Sequence, residues 1–391
     1  MKSGAEFDII VYGASGFTGR LVAEYLAERY GVGGEVKWAM AGRSLDKLAA
    51  VRDEIGAPAA TPLVEADAND PASLKAMVAR TKAVITTVGP YQLYGEGLVA
   101  ACAEAGTDYL DLCGEPAWMR QMIDKYDAAA KASGARIVFS CGFDSIPFEL
   151  GVFFLEETAK ARLGVPIARV KGRVRKMQGG FSGGTAASLK ATMAAAAKDP
   201  SIIATLRNPF ALTPGFEGPE QPHGMKPEFD PAVDAWVAPF IMAAINTRNV
   251  HRSNALMGHP YGADFVYDEM LIAGPGEKGE ATAKAIAGAD LMGGDGGPKP
   301  GEGPSKAERE AGFFDVLFVG EAPGGETVRV AVGGDKDPGY GCTSKMIAES
   351  AVCLIGEAAD TAGGVWTPGA AMGHRLIDRL VANAGMTFTV E

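Results

Sequence analysis

Residues 7–30, FDIIVYGASGFTGRLVAEYLAERY, constrain this chain more than any other stretch. An apolar run from Phe7 to Tyr12 breaks into Gly13, Gly16 and Gly19, and an amphipathic segment follows with Leu21, Val22, Tyr25 and Leu26 on one helical face. Strand, glycine turn and helix in that order are the context in which this spacing marks a dinucleotide site. Glycine lacks a Cβ, so the backbone of Gly13-Ala14-Ser15-Gly16-Phe17-Thr18-Gly19 can approach a pyrophosphate closely. The helix N-terminus adds partial positive charge at the same point. A tight turn that holds no ligand would also use glycine, so the rest of the chain has to separate the two readings.

The next segments extend the pattern. EVKWAMAGR reads as a second strand ending at Ala41-Gly42-Arg43, and Ser44 is placed to cap a helix carrying Leu45, Leu48, Val51 and Ile55. Arg43 stands about where a doubly wound nucleotide fold puts its ribose-reading acid, with Lys47 one turn further on. An arginine suits a 2′-phosphate and a carboxylate would repel one, which favours NADP (as NADPH) over NAD. A solvated arginine at a strand end is the plain alternative. TPLVEAD, a third strand, delivers Asp67 near where an adenine ring would lie. AVITTVG, a fourth, is continuously apolar, as a strand covered on both faces should be. It ends at Gly89-Pro90-Tyr91, where the carboxyl ends of strands one and four flank the ligand crevice and a nicotinamide ribose could pass close to the backbone. DYLDLCGE, a fifth strand, brings Gly114 to the same edge, and ARIVFSCGFD is a sixth. Strand and helix alternate through residues 7–146, which predicts a parallel sheet with helices on both faces.

After residue 147 the alternation stops. RVKGRVRKM reads as a strand, and an alanine-rich helix is expected over Thr185–Lys198. Residues 199–235, rich in proline, read as a long ordered loop or lid. FVYDEMLIA is a further strand, a helix is expected near Glu280–Met292, and GGDGGPKPGEGPSK looks flexible. GFFDVLFVGE and ETVRVAVGG form a hairpin. Two helices close the chain, one over Lys345–Glu357 and one beginning at Thr367-Pro368. The expected fold class is therefore α/β: a Rossmann-type doubly wound parallel sheet (residues 1–147), an inserted mixed α+β unit with a largely antiparallel sheet (148–340), and C-terminal helices (341–391) packing back on the first unit.

At 391 residues the chain can bury two cores. Its net charge of −11 supplies no basic field for nucleic acid, so none is expected as a partner. The five cysteines form no CxxC pair and read as reduced thiols of a cytoplasmic protein. The four histidines show no spacing usable for a metal site, and none is expected. MKSGAEFD reaches the first strand without an apolar signal region. The run from Trp236 to Ile245 is about half a membrane span, so no transmembrane segment is expected; peripheral contact with a membrane is compatible with that count.

Seven passages together resemble the saccharopine dehydrogenase-like oxidoreductases, and within them the trans-acting enoyl reductases. They are YGASGFTGR at 12–20, AGR at 41–43, VGPYQLYGEGLVAACAEAGTDYLDLCGE at 88–115, CGFDSIP at 141–147, NTRNVHRSN at 246–254, PGYGCTSKM at 338–346 and GGVWTP at 363–368. Glu149 stands where many relatives would carry aspartate. The resemblance implies NAD(P)-linked hydride transfer, with the inserted unit shaping the substrate pocket and a homodimer contact. Its members divide between a C=C bond of an acyl or polyketide-like thioester and a C–N bond of an amino-acid derivative, and some relatives are associated with lipid droplets rather than with turnover.

Hydride transfer needs a dry pocket beside the nicotinamide and often one proton donor. The Tyr-x-x-x-Lys pair of short-chain reductases is absent, since none of the ten tyrosines has lysine four positions on. The candidates lie after strand ends: Tyr91 and Tyr94, then Asp111, Cys113 and Glu115, then Asp144 and Ser145. Tyr91 is expected either to donate a proton or to close the crevice wall. Asp144 is expected to cap the helix beginning near Ile146 rather than to act in chemistry. Cys113 and Cys141 read as packing residues. Arg248, His251 and Arg252 read as a solvated basic loop, with an anionic thioester arm as the alternative ligand.

Overall fold

The computed structural model of the protein describes residues 4–180, 183–289 and 301–391. The first strands in chain order are β1 (Phe7–Tyr12), β2 (Trp38–Gly42), β3 (Leu63–Glu65), β4 (Thr81–Thr86), β5 (Asp108–Leu110) and β6 (Arg136–Val138). A second group follows: β7 (Arg169–Gln178), β8 (Glu228–Asp230), β9 (Ala235–Pro239), β10 (Val266–Gly274), β11 (Phe313–Glu321) and β12 (Thr327–Gly334). β13 (Gly364–Trp366) and β14 (Met386–Val390) lie near the C-terminus.

Two seven-stranded sheets result. The first runs β13-β6-β5-β4-β1-β2-β3 and is parallel throughout. Its order reverses between β1 and β4, and a ligand crevice in such a sheet opens at the carboxyl ends there. The second runs β14-β12-β11-β7-β10-β9-β8; only β7 and β10 pair in parallel, so it is mixed and mostly antiparallel, as expected.

Alternation along β1 divides the interior. Ile10 and Tyr12 face a core shared with the helices Pro71–Ala79, Glu96–Ala105 and Pro116–Ser133. Ile9 and Val11 face the opposite core, which continues through the helix Thr343–Ile355 to Phe314 and Phe318 of the second sheet. The helix Ile146–Leu163 lies on that second sheet, and a Cβ at Gly151 would fall 2.3 Å from the Phe318 ring. Helix Thr343–Ile355 in turn packs on Phe17–Tyr30: its buried Glu349 accepts hydrogen bonds from Tyr25 (2.5 Å) and Tyr30 (2.8 Å) and pairs with Arg379 at 2.6 Å.

Several boundaries differ from the sequence reading. TPLVEAD, DYLDLCGE and ARIVFSCGFD each keep only three residues in the sheet. After β6 the chain leaves the ladder because Ser140 takes φ 60°, its N–H donating to Asp111 and its hydroxyl to the Cys113 carbonyl. The stretch 199–235 is not all loop: Asp199 accepts from Ser201 N–H and caps a helix over Pro200–Arg207, and β8 follows. The helix expected near 280–292 runs over Gly276–Gly288; residues 290–292, and residues 293–300 of the glycine-rich stretch, lie outside the described residues. Thr367 caps the late helix from Ala370 N–H, as its sequence implies. β14 had no forecast, and it joins the second sheet at β12.

Candidate active site

The glycine turn is built as its spacing requires. Gly13 has φ 87°, and a Cβ there would lie 2.8 Å from Val88 and 2.9 Å from Thr87. Gly16 donates to the Gly13 carbonyl at 2.9 Å. Gly19 packs its Cα against that same carbonyl, which a Cβ would meet at 2.2 Å. Ala14 is fully buried, while Ser15 and Gly16 are exposed and Phe17 and Thr18 half-buried. No side chain caps the helix Phe17–Tyr30 and no acid occupies its first turn. A pyrophosphate therefore fits the cradle sterically and electrostatically.

At the adenosine end, Arg43 and Lys47 are exposed, and no carboxylate forms an ion pair with Arg43 among the described residues. Ser44 accepts from Lys47 N–H and caps Leu45–Glu54, so its hydroxyl has the structural role its position suggests. Asp67 ends β3 and closes a turn by accepting from Asn69. Tyr12, pushed up to about 12 mainly by burial, lies within electrostatic reach of both Asp67 and Arg43.

At the other end, Gly89, Pro90, Tyr91, Gly114 and Asp144 come together. The Gly89–Pro90 and Asp144–Ser145 peptides are cis. Tyr91 is buried; its hydroxyl donates to the Thr86 carbonyl at 3.3 Å and accepts from Leu112 N–H at 3.1 Å. Burial holds the phenol well above its ordinary range. Both hydrogen bonds tie β4 to the loop after β5, which favours the crevice-wall role for Tyr91 over proton donation. Tyr91→Phe is expected to cost about 1–3 kcal/mol of stability, since Leu112 N–H loses its acceptor. Its kcat is expected to stay within about threefold of the parent, a barrier change under 1 kcal/mol; thermal unfolding and steady-state kinetics check both. Tyr94 is largely exposed.

Glu115 caps the short helix Tyr91–Tyr94 through Tyr91 N–H (3.0 Å) and Gln92 N–H (2.9 Å). Asp111 is pushed up to about 7 by burial, yet it accepts from Tyr109, Cys113 and Ser140, so it is committed to the fold. Burial drives Cys113 and Cys141 well above the usual thiol range, in keeping with packing.

Asp144 departs from the sequence reading. It does not cap the helix Ile146–Leu163; Ser145 occupies the cap position, and no side chain bonds there. The Asp144 carboxyl turns instead toward Gly114, where a Cβ would fall 2.9 Å from its Oδ2. With no cation paired to it among the described residues, desolvation raises it to about 7. Ser145 meets Asn249 at 2.8 Å.

The crevice also has groups with no sequence signal. Ser188 of the helix Gly183–Lys198 would lie 3.8 Å from a Cβ at Gly89, and Thr192 accepts from Gln92 at 3.1 Å. That helix thus crosses the carboxyl end of β4, and only three-dimensional contact could reveal it. Arg248, His251 and Arg252 are not a solvated loop: all three are buried on the helix Ala243–Leu256. Among the described residues no three His, Cys, Asp or Glu side chains converge as a metal centre needs, and no helix is long and apolar enough to cross a membrane.

Residues 9–138 match the saccharopine dehydrogenase NADP binding domain. A Mycobacterium tuberculosis protein provisionally named trans-acting enoyl reductase is 40% identical over 417 residues, covering 96% of each chain. A trans-acting enoyl reductase of Mycobacterium ulcerans is 37% identical over 404 residues, again with 96% of each covered. Apo saccharopine dehydrogenase (L-Glu forming) of Saccharomyces cerevisiae shares the fold at a TM-score of 0.55 and 12% identity, over 98% of this chain and 100% of that one. The chain belongs to the trans-acting enoyl reductase family of saccharopine dehydrogenase-like proteins, and its enzyme class is that of an NADP-dependent oxidoreductase.

Proposed function

We propose that this member of the family reduces the C=C bond of an α,β-unsaturated acyl thioester, with Asp144 as the proton source. The observation that carries the reading is the Asp144 carboxyl, which faces Gly114 at the crevice with no cation paired to it among the described residues and is raised by burial to about 7. NADPH, when bound, supplies the hydride. With hydride added to the β-carbon, the C=C electron pair would fall to the α-carbon, and Asp144 is the acid that would protonate it there. Asp144 is left as a carboxylate and is reprotonated from solvent. Tyr91 and Glu115 hold the loops that frame the site, and Thr192 of the helix Gly183–Lys198 meets Gln92 beside them. Purified protein with NADPH and a panel of enoyl thioesters tests the reading by absorbance at the nicotinamide band. Oxidation with at least one thioester is expected; none across the panel, with turnover of an imine instead, would move the chemistry to a C–N bond.

We assign the choice of NADP over NAD to Arg43, with Lys47 beside it. Arg43 follows the end of β2 and Lys47 lies in the first turn of the next helix, both exposed and with no acid in ion-pair contact with Arg43 among the described residues, an arrangement suited to a 2′-phosphate. Losing one charge-assisted contact is worth about 1.5–3 kcal/mol, so Arg43→Ala should weaken NADPH binding roughly 10- to 100-fold and leave NADH nearly unchanged. Titration of both cofactors by fluorescence checks this; equal affinities in the parent protein would contradict it.

A further inference from the structure

Phe17 stands where two parts of the molecule meet. It opens the helix Phe17–Tyr30, so its backbone belongs to the glycine cradle, while its half-buried ring is covered from the far end of the chain. Tyr340 meets the ring edge-on, with centroids 5.1 Å apart. A Cβ at Gly303 would fall 2.4 Å from it. Two guanidinium groups lie over the same ring, Arg20 at 5.6 Å and Arg309 at 5.8 Å from its centroid.

Arg309 is held there by its own segment. It belongs to the short helix Lys306–Ala311, which starts with a reciprocal cap: Ser305 accepts from Glu308 N–H, and the Glu308 carboxylate accepts from Ser305 N–H at 2.8 Å. Arg309 Nη1 donates to the Pro304 carbonyl at 2.7 Å, and the Arg309 carbonyl accepts from Asp337 N–H at 2.9 Å. The surrounding charges are committed elsewhere. Asp337 is within electrostatic reach, but it is fully buried and accepts from the N–H groups of Tyr340 (3.1 Å) and Gly341 (2.6 Å). Glu308 faces Ser305, and Glu310 lies 4.0 Å from Lys306. Arg20 pairs with Glu54 at 2.7 Å. Among the described residues no carboxylate is in ion-pair contact with Arg309, which is half-buried. An arginine that served only to cover Phe17 would be poorly placed. The first turn of the helix Phe17–Tyr30 carries no acid, and its N-terminal N–H groups already gather positive charge, so a further cation is repelled while the turn is empty. A doubly negative anion at those amides reverses the sign.

We infer that Arg309 is a pyrophosphate-binding residue, so that the segment leading into β11 of the second sheet supplies the cation that the glycine turn itself lacks. The inference rests on a dinucleotide occupying that turn and is independent of which bond is reduced. Arg43 reads the 2′-phosphate of NADPH, whereas Arg309 meets the bridge common to NADPH and NADH, so the two arginines have separable effects.

Calorimetric titration with NADPH, NADH and adenosine 2′-monophosphate, which has the 2′-phosphate and no pyrophosphate, separates the contacts. Arg309→Met keeps an apolar stem over Phe17 and removes the charge. It should weaken NADPH and NADH alike by roughly tenfold, the scale of one charge-assisted contact, and leave adenosine 2′-monophosphate unchanged. Arg309→Lys should keep most of the affinity for both dinucleotides. Added salt should weaken NADH binding more steeply in the parent than in Arg309→Met. A loss confined to NADPH would move Arg309 to the 2′-phosphate. A matching loss for adenosine 2′-monophosphate would mark general damage to the turn, and unchanged dinucleotide affinities would leave Arg309 as a cover for Phe17. Each of these results overturns the assignment while the dinucleotide site stands. A parent protein that binds neither dinucleotide would overturn the site and the assignment together.

Discussion

Asp144→Asn is expected to lower kcat by about 10²–10⁴-fold, the range by which a positioned general acid contributes. The amide keeps the shape of the carboxyl beside Gly114 but has no proton to give. NADPH affinity should hold, because the glycine turn and Arg43 lie at the other end of the crevice. The pH profile sharpens the test. The acid form is the competent one, and desolvation raises the group to about 7. Parent kcat should therefore be level below that value and fall about tenfold per pH unit above it, while Asp144→Asn stays flat. A variant that retains more than a third of the parent rate, or a parent profile rising with pH, would remove Asp144 from the chemistry.

Gly19→Ala should be the most damaging change in the nucleotide turn. Its Cβ would meet the Gly13 carbonyl oxygen at 2.2 Å, the Gly13 carbon at 2.7 Å and Thr87 Oγ1 at 2.7 Å. Two of those atoms are backbone, so the helix Phe17–Tyr30 must back away from β1 and take its N-terminal amides with it. Overpacking of this kind costs about 1–3 kcal/mol of stability. NADPH affinity should fall at least about 100-fold, since several amide contacts are displaced together. Gly16→Ala is the built-in comparison: its Cβ would lie 3.3 Å from the same oxygen, at an ordinary φ of −83°. That change should cost less than about tenfold, under 1.4 kcal/mol. Thermal unfolding with and without NADPH, and fluorescence titration, read both variants; NADPH binding to Gly19→Ala within threefold of the parent would contradict the cradle.

These contrasts also show where sequence is legible. Gly13, Gly16 and Gly19 could be read because a strand, a turn and a helix constrain one another over a few residues. The place of Arg43 just after β2 could be read because the turn sets the distance to the end of that strand. The helix Ala243–Leu256 could not be read. Its run from Asn246 to Asn254 is polar on every face, which resembles a solvated segment, and its partners lie 40 to 113 residues away at Leu212, Ser145 and Val365. The capping role expected of Asp144 failed for a related reason. Sequence alone places it one residue before a helix cap, and only the approach of Gly114, from the end of another strand, shows that its carboxyl faces the crevice. The second sheet was legible at the hairpin β11–β12, where the turn is local, and not at β14, whose pairing partner is set by tertiary structure.

The central claim is that reduction here delivers hydride to the β-carbon and a proton to the α-carbon of an enoyl thioester. Incubating the protein with 4-deuterated NADPH in water, and then with ordinary NADPH in deuterium oxide, and locating the label in the saturated product by NMR, tests it directly. One deuterium is expected at the β-carbon in the first experiment and one at the α-carbon in the second, with the second slowed selectively by Asp144→Asn. Cofactor oxidation with no deuterium on the carbon chain, or no oxidation by a protein that binds NADPH, would contradict it.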